Sequence, residues 1–265
     1  MIRPKKSLGQ NFLIDNNILD KIIKLTKINN SNVLEIGPGT GNLTEKIIEQ
    51  KPKNLILIEK DQLLSSNLAR KFVGYDNLQI LNEDILKFDL EKKISNETII
   101  IGNLPYNISS QILIQLIRFE QWLPKYRKLI LMFQKEVADK IIAKCRTPNY
   151  GRLTIITAAR LKVKSHFNVS PNCFFPVPKV KSTVLVFEPI KNKNFKVKNI
   201  KNLEKISQIF FSKKRKMINK GFNELFKDPV LVSKKLNINL SLRPSQLSVD
   251  EYFKITEFFE NQNKI

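Results

Sequence analysis

The clearest indication of the fold is the segment Val33-Leu34-Glu35-Ile36-Gly37-Pro38-Gly39-Thr40-Gly41. Its first four residues are mostly apolar and predict a short buried strand, and three alternating glycines follow directly. Leu43, Ile47 and Ile48 then place apolar side chains on one side of a helix. A strand, a glycine-rich loop and a helix in succession form the nucleoside-binding unit of doubly wound α/β folds. The glycines allow the backbone to pass close to a bound ligand.

Two further strands each end in an acidic residue. Leu55–Ile58 is followed by Glu59, and Leu78–Leu81 is followed by Asn82-Glu83-Asp84. In open α/β sheets ligands bind outside the carboxyl ends of the strands, so these acids are expected beside the glycine loop. Glu59, about 20 residues past the glycines, is suited to accept hydrogen bonds from both hydroxyls of a ribose. Asp84 is placed to meet the amino group of an adenine.

The loop Asn103-Leu104-Pro105-Tyr106 follows a third apolar run, Thr98–Gly102. It resembles the catalytic loop of methyltransferases that modify exocyclic amino groups. The lone pair of an adenine N6 is delocalised into the ring, so the amine is a poor nucleophile. Two acceptors, the Asn103 amide oxygen and the Leu104 carbonyl, would hold both N–H groups and direct the lone pair toward a methyl donor. Pro105 would fix the backbone, and Tyr106 would stack on the flipped base. A tight turn with a buried tyrosine is the other interpretation of such a loop.

Composition limits the class of protein. A length of 265 residues and an apolar content of 42% indicate a globular chain with a substantial core. No apolar run reaches the roughly 18–20 residues of a membrane span, and no signal peptide is evident, so a cytoplasmic location without a membrane partner is expected. The two cysteines, Cys145 and Cys173, and the single histidine, His166, show neither zinc-ligand spacing nor a Cys/His catalytic pair.

The net charge of +22 points to a polyanionic partner, and nucleic acid is favoured over an anionic membrane. Between Lys191 and Lys220 there are eleven lysines or arginines and a single acid, Glu204. The segment Lys213 to Phe226, which overlaps the end of this region, is predicted to be a helix with a basic run in its first turn. Because the helix dipole disfavours cations there, the run suggests phosphate contacts. The predicted RNA-binding residues are Lys213, Lys214, Arg215, Lys216 and Arg152.

Two domains are predicted. Residues 1–188 carry the α/β pattern described above, and residues 189–265 contain short helical segments preceded by a Lys- and Asn-rich linker at residues 189–201. The expected fold is therefore an α/β domain followed by a small all-α domain.

The chain resembles the ribosomal RNA adenine dimethyltransferases over nearly its whole length, and most closely those that act on the small ribosomal subunit. The resemblance rests on the following motifs: Gly9-Gln10-Asn11-Phe12-Leu13, Glu35 to Thr44, Asn103 to Ser109, Gln134-Lys135-Glu136-Val137, Tyr150-Gly151-Arg152-Leu153, Phe174-x-Pro176-x-Pro178-Lys179-Val180, Lys214-Arg215-Lys216 and Arg243-Pro244-Ser245-Gln246-Leu247-Ser248.

The resemblance implies a Rossmann-like class I fold, with a mostly parallel seven-stranded sheet between helices, and S-adenosylmethionine (AdoMet) as the cofactor. It implies N6,N6-dimethylation of two adjacent adenosines in the 3′-terminal hairpin loop of 16S rRNA by a monomeric enzyme. The catalytic residues would be Asn103, Leu104 and Tyr106, with Phe174 stacking on the other face of the target base. The AdoMet contacts would be Asn11, Leu13, Gly37, Gly39, Glu59, Asp84 and Asn103.

Three other functions compete with this one. A dimethyltransferase of the macrolide-resistance type, acting on 23S rRNA, has a different helical C-terminal region. An RNA-binding assembly factor with secondary catalysis is disfavoured by the intact set of Glu59, Asp84 and the catalytic loop. A nicotinamide-dependent dehydrogenase is disfavoured by Asn42, which stands where the third glycine of the dinucleotide fingerprint would fall.

Overall fold

The computed structural model describes residues 4–5, 8–191 and 197–262. Its strands, in chain order, are β1 (Phe12–Leu13), β2 (Asn32–Ile36), β3 (Asn54–Ile58), β4 (Leu78–Leu81), β5 (Thr98–Asn103), β6 (Tyr126–Gln134), β7 (Leu161–Val169), β8 (Phe174–Phe175) and β9 (Ser182–Pro189). Its α-helices are α1 (Asn16–Ile23), α2 (Asn42–Glu49), α3 (Gln62–Lys71), α4 (Leu90–Lys93), α5 (Ser109–Ile117), α6 (Lys135–Ile141), α7 (Arg152–Arg160), α8 (Ile200–Ser212), α9 (Asn219–Leu225), α10 (Pro229–Leu236) and α11 (Val249–Gln262).

Seven of the strands form one sheet in the order β4-β3-β2-β5-β6-β9-β7. The first five are parallel, and β9 runs antiparallel to β6. The chain order reverses between β2 and β5, which is the switch point where ligands bind in doubly wound sheets. The predicted mostly parallel seven-stranded sheet is therefore confirmed. A separate two-stranded ribbon pairs β1 with β8.

Both faces of the sheet are buried. In β5, Ile99 and Ile101 belong to a core cluster that includes residues of α1 and α2, while Ile100, which points to the opposite face, is also buried. Uniform burial of successive β-branched side chains is typical of a parallel strand covered on both sides.

Most predicted helices and strands are present, and one prediction is wrong. Asp15 caps α1, because its carboxylate accepts a hydrogen bond from the Ile18 amide. However, the helix predicted at 213–226 begins only at Asn219, and residues 213–218 form a loop after α8. We call Lys213 to Lys216 the basic loop. All four side chains are exposed, and they follow the C-terminus of α8, where a helix dipole favours cations. The helix dipole therefore does not disfavour these cations, as it would in a first turn.

The contacts divide the chain into two compact units, Met1–Ala138 with Val163–Pro189, and Asp139–Lys162 with Ile190–Ile265. The boundary predicted near residue 188 coincides with the end of the first unit. However, the contacts assign residues 139–162 to the second unit, within which α7 packs against α8. A chain cut at residue 189 would therefore leave α7 without its partner.

The predicted linker is shorter than expected at its far end, since Ile200 already begins α8. Residues 192–196 of that linker lie outside the described residues. Within the described part of the chain, no helix combines the length and apolarity that crossing a membrane requires.

Candidate active site

A cavity lies at the carboxyl edge of the parallel strands in the first unit. Ile36 of β2 is in register with Ile58 of β3 and with Gly102 of β5, so the loops that follow these strands leave the sheet together. The structure brings nine of the predicted site residues to this cavity: Asn11, Leu13, Gly37, Gly39, Glu59, Asp84, Asn103, Leu104 and Tyr106.

The glycine loop needs its glycines for space as well as for conformation. Gly39 has a φ of +60°, and a Cβ added there would lie 2.8 Å from the ring of Phe12. The loop therefore packs directly on β1. Asn42, which distinguishes this loop from a dinucleotide fingerprint, donates from its side-chain amide to the carbonyl of Leu13 at 2.8 Å. This bond attaches the start of α2 to β1.

The carboxylate of Glu59 is held by the backbone. One oxygen accepts from the amide of Gly39 at 3.1 Å and the other from the amide of Asp61 at 2.8 Å. Burial raises the pKa of Glu59, and these hydrogen bonds partly offset that effect. A carboxylate has about four lone-pair sites, so Glu59 can accept further hydrogen bonds besides those from the backbone.

Asp84 is paired with a lysine that the sequence did not single out. The Lys60 ammonium lies 2.8 Å from one carboxylate oxygen, and the other oxygen accepts from the Leu86 amide at 3.0 Å. The hydrogen bond from Lys60 is the largest cause of the lowered pKa of Asp84, so this acid is ionised at neutral pH. Lys60 follows a strand-end acid without any local pattern that would mark it in the sequence.

Glu35 is the most deeply buried acid of the cavity. Its side chain accepts a 2.7 Å hydrogen bond from the Thr44 hydroxyl of α2. Burial raises the pKa of Glu35 to about 8, and the nearby Glu59 adds to the effect. The glycine motif contains this glutamate, but no signal in the sequence marks it as a buried acid with a role of its own.

The Asn103 side chain is oriented by one hydrogen bond. Its amide nitrogen donates to the carbonyl of Asn11 at 2.9 Å, which leaves its amide oxygen as an acceptor. In the same loop, the Tyr106 hydroxyl lies 2.6 Å from the Ser182 hydroxyl, and burial raises the pKa of Tyr106. The loop thus presents an oriented amide oxygen beside an anchored aromatic ring.

Phe174, which is predicted to stack on the target base, lies away from the cavity in this structure. Its side chain is 1% exposed, belongs to the core cluster and does not line the cavity. The next residue, Phe175, is 53% exposed. Successive strand residues point to opposite faces, and the sequence did not reveal which of the two phenylalanines would face inward.

The predicted RNA-binding residues belong to the second unit. Arg152 and the four cations of the basic loop are exposed. Lys214 also donates to the carbonyl of Pro148 at 3.1 Å, which connects the basic loop to the turn that precedes Arg152. These cations therefore lie on two neighbouring segments.

Comparison with known proteins identifies the family. The family model described as ribosomal RNA adenine dimethylase matches residues 1–261. The chain belongs to this family. It is accordingly a methyltransferase with AdoMet as methyl donor and ribosomal RNA as substrate.

Individual relatives agree with this assignment. The chain is 48% identical over 264 residues to the ribosomal RNA small subunit methyltransferase A of Pelagibacter ubique, covering 98% of each sequence. The protein with that same name from Malacoplasma penetrans is 39% identical, covering 94% of this chain and 90% of the relative.

Two solved structures resemble the dimethylase. A dimethyladenosine transferase from Plasmodium falciparum has a TM-score of 0.80 and 30% identity, with 95% of this chain and 98% of that chain covered. The 23S rRNA methyltransferase ErmE has a TM-score of 0.69, with 94% of this chain and 99% of that chain covered. At 21% identity, this second likeness shows the fold alone.

Proposed function

We propose that this dimethylase transfers four methyl groups to two adjacent adenosines in the 3′-terminal hairpin loop of 16S rRNA, giving N6,N6-dimethyladenosine at both. The observation that carries the proposal is the oriented Asn103 amide beside the Tyr106 ring, within a cavity that also holds the acids of three strand ends. The names of the relatives support the small subunit over the 23S rRNA as the substrate.

The cavity fits AdoMet by the chemistry of its donors and acceptors. AdoMet carries a positively charged sulfonium whose methyl group is electrophilic. Glu59 has free lone pairs for the two ribose hydroxyls, and ionised Asp84 accepts from the adenine amino group. The glycine backbone and the segment at Asn11 and Leu13 would line the methionine moiety.

The catalytic loop acts through orientation. The Asn103 oxygen and the Leu104 carbonyl accept from the two N–H groups of the target N6, so that its lone pair is directed at the methyl group. The Tyr106 ring supports the flipped base, and the hydrogen bond to Ser182 anchors the hydroxyl end of this side chain. No strong general base is needed because the methylated nitrogen loses its proton readily.

The choice of the target adenine in the RNA must depend on residues outside this loop, because two acceptors and a stacking ring would bind any exposed adenine. The basic loop and Arg152 supply phosphate contacts, and RNA is recognised mostly by shape and by unpaired loops. We infer that the enzyme acts as a monomer in the cytoplasm, on small subunits during their assembly.

The test is methyl transfer from tritiated AdoMet to unmethylated small subunits, followed by nucleoside analysis. We expect dimethyladenosine at two neighbouring positions, approaching four methyl groups per subunit, and far less transfer to large-subunit RNA. A better reaction with large-subunit RNA would favour the resistance-type activity. Tight binding to subunits without methyl transfer would favour a role as an assembly factor.

A further inference from the structure

The ribbon of β1 and β8 sorts four apolar side chains into two pairs. Phe12 lies opposite Phe175, and Leu13 lies opposite Phe174. Directly opposed residues of an antiparallel pair project to the same face. Leu13 and Phe174 share the core cluster, so Phe12 and Phe175 share the other face. Phe12 lines the cavity and packs on Gly39, so its strand partner Phe175 lies next to a cavity residue without lining the cavity itself.

The segment that begins at Phe175 is mostly exposed to solvent. We call residues 175–181 the rim loop. Phe175, Val177 and Val180 are 53%, 60% and 42% exposed. Lys179 and Lys181 are exposed as well, and residues 170–181 contain no acid. The loop therefore combines an exposed aromatic ring with positive charge, which is the pattern of a single-stranded nucleic-acid contact.

Hydrogen bonding ties this loop to the catalytic residues. Ser182, which follows the rim loop directly, pairs with the Tyr106 hydroxyl at 2.6 Å. The rim loop thus begins beside Phe12 and ends beside Tyr106, two residues that line the cavity. An RNA strand with one base in the cavity would place its next nucleotide close to this loop.

We propose that Phe175 stacks on the base adjacent to the target adenine, while Lys179 and Lys181 contact phosphates of the same strand. Flipping the target out of its stack removes the stacking partner of its neighbour and exposes one face of that base. The Phe175 ring would cover this face. The inference rests on the proposed function, which requires the enzyme to hold two adjacent adenosines in turn.

The test compares Phe175→Ala with Phe175→Trp on small subunits reconstituted with a synthetic 3′-terminal hairpin. In one hairpin the base next to the target is present, and in the other that nucleotide is abasic. With the intact hairpin, Phe175→Ala should lower kcat/KM about 5- to 150-fold, which corresponds to the loss of one base stacked at ~1–3 kcal/mol. Phe175→Trp should restore at least half of the rate. AdoMet affinity should change less than twofold.

The abasic hairpin separates stacking from other effects. With it, the wild type should lose the same factor, and Phe175→Ala should cause no further loss. Tyr75→Ala, which removes a ring that is 47% exposed elsewhere on the first unit, is the matched control and should leave both rates unchanged. A Phe175→Ala loss that persists on the abasic hairpin, a loss of AdoMet affinity, or no loss at all would each overturn the inference.

A second readout is independent of methyl transfer. With S-adenosylhomocysteine bound, 2-aminopurine at the neighbouring position should be quenched by the wild type and not by Phe175→Ala. If the wild type transfers no methyl groups, the proposed function fails, and this fluorescence difference alone decides whether Phe175 stacks on RNA.

Discussion

Replacing Glu35 by Gln should stabilise the first unit at neutral pH, by an amount that grows as the pH rises. The carboxyl is fully buried, and burial raises its pKa from 4.5 to about 8. Between these two values the unfolded chain is ionised while the folded chain keeps its proton, so unfolding becomes easier as the pH rises. Gln cannot ionise, and its amide oxygen can still accept the hydrogen bond from Thr44.

The magnitude follows from the two pKa values. Each pH unit between them costs the wild type ~1.4 kcal/mol of unfolding free energy through this one group. From pH 5.5 to 7.5, the advantage of Glu35→Gln over the wild type should therefore grow by ~2.5 kcal/mol. Above the folded pKa both states are ionised and the difference becomes constant.

Urea unfolding followed by the fluorescence of Trp122 measures this difference, because Trp122 is the only tryptophan and lies in the first unit. The matched control is Glu49→Gln, since the Glu49 side chain is 60% exposed and lies 3.8 Å from Lys46. The free energy of unfolding of this control should depend on pH in the same way as that of the wild type. If Glu35→Gln also gives a parallel curve, Glu35 is ionised in the native protein and the prediction is refuted.

Three other changes test the catalytic loop, the basic loop and the sheet. Asn103→Ala should slow single-turnover methyl transfer by ~10²–10³, as removal of one preorganised polar group does, and a rate within a factor of two of the wild type would remove its assigned role. Changing all four cations of the basic loop to Gln should reduce the slope of log K against log salt for RNA binding, by roughly 0.7–0.9 for each phosphate that is no longer neutralised. An unaltered slope would show that the loop is solvated and does not contact phosphates. Gly102→Ala should destabilise the first unit by ~1–3 kcal/mol because its Cβ would lie 2.9 Å from the Ile36 carbonyl oxygen, whereas Gly151→Ala, whose Cβ would meet its nearest neighbour only at 3.9 Å, should have little effect on urea unfolding.

The amino-acid sequence was enough to predict the central strands and most of the polar residues that line the cavity. Short apolar runs followed by glycines or by acids are local patterns, and they define strands whose carboxyl ends carry polar groups. Because the strands are parallel, their carboxyl ends lie at the same edge of the sheet. It was therefore possible to place Glu59, Asp84 and Asn103 together without knowing any distant contact.

Which residues support that site became visible only in the folded chain. The partnerships of Lys60 with Asp84 and of Thr44 with Glu35 join different elements, and no local pattern encodes them. The orientation of Phe174 and Phe175 depends on the pairing of β8 with β1, about 160 residues earlier in the chain, and a shift of one residue in that pairing would exchange them.

The same reason explains the wrong helix and the reassigned segment. Residues 213–218 have helical propensity, but the amide of Ile218 donates to the carbonyl of Leu242, a contact with a distant segment that only the folded chain supplies. Residues 139–162 follow the α/β pattern in sequence and yet join the second unit, because α7 finds its packing partner in α8. The spacing of apolar residues in the sequence indicates whether a segment is a helix or a strand. Where that helix or strand begins and ends, and which elements it packs against, depend on contacts with residues that are distant in the sequence.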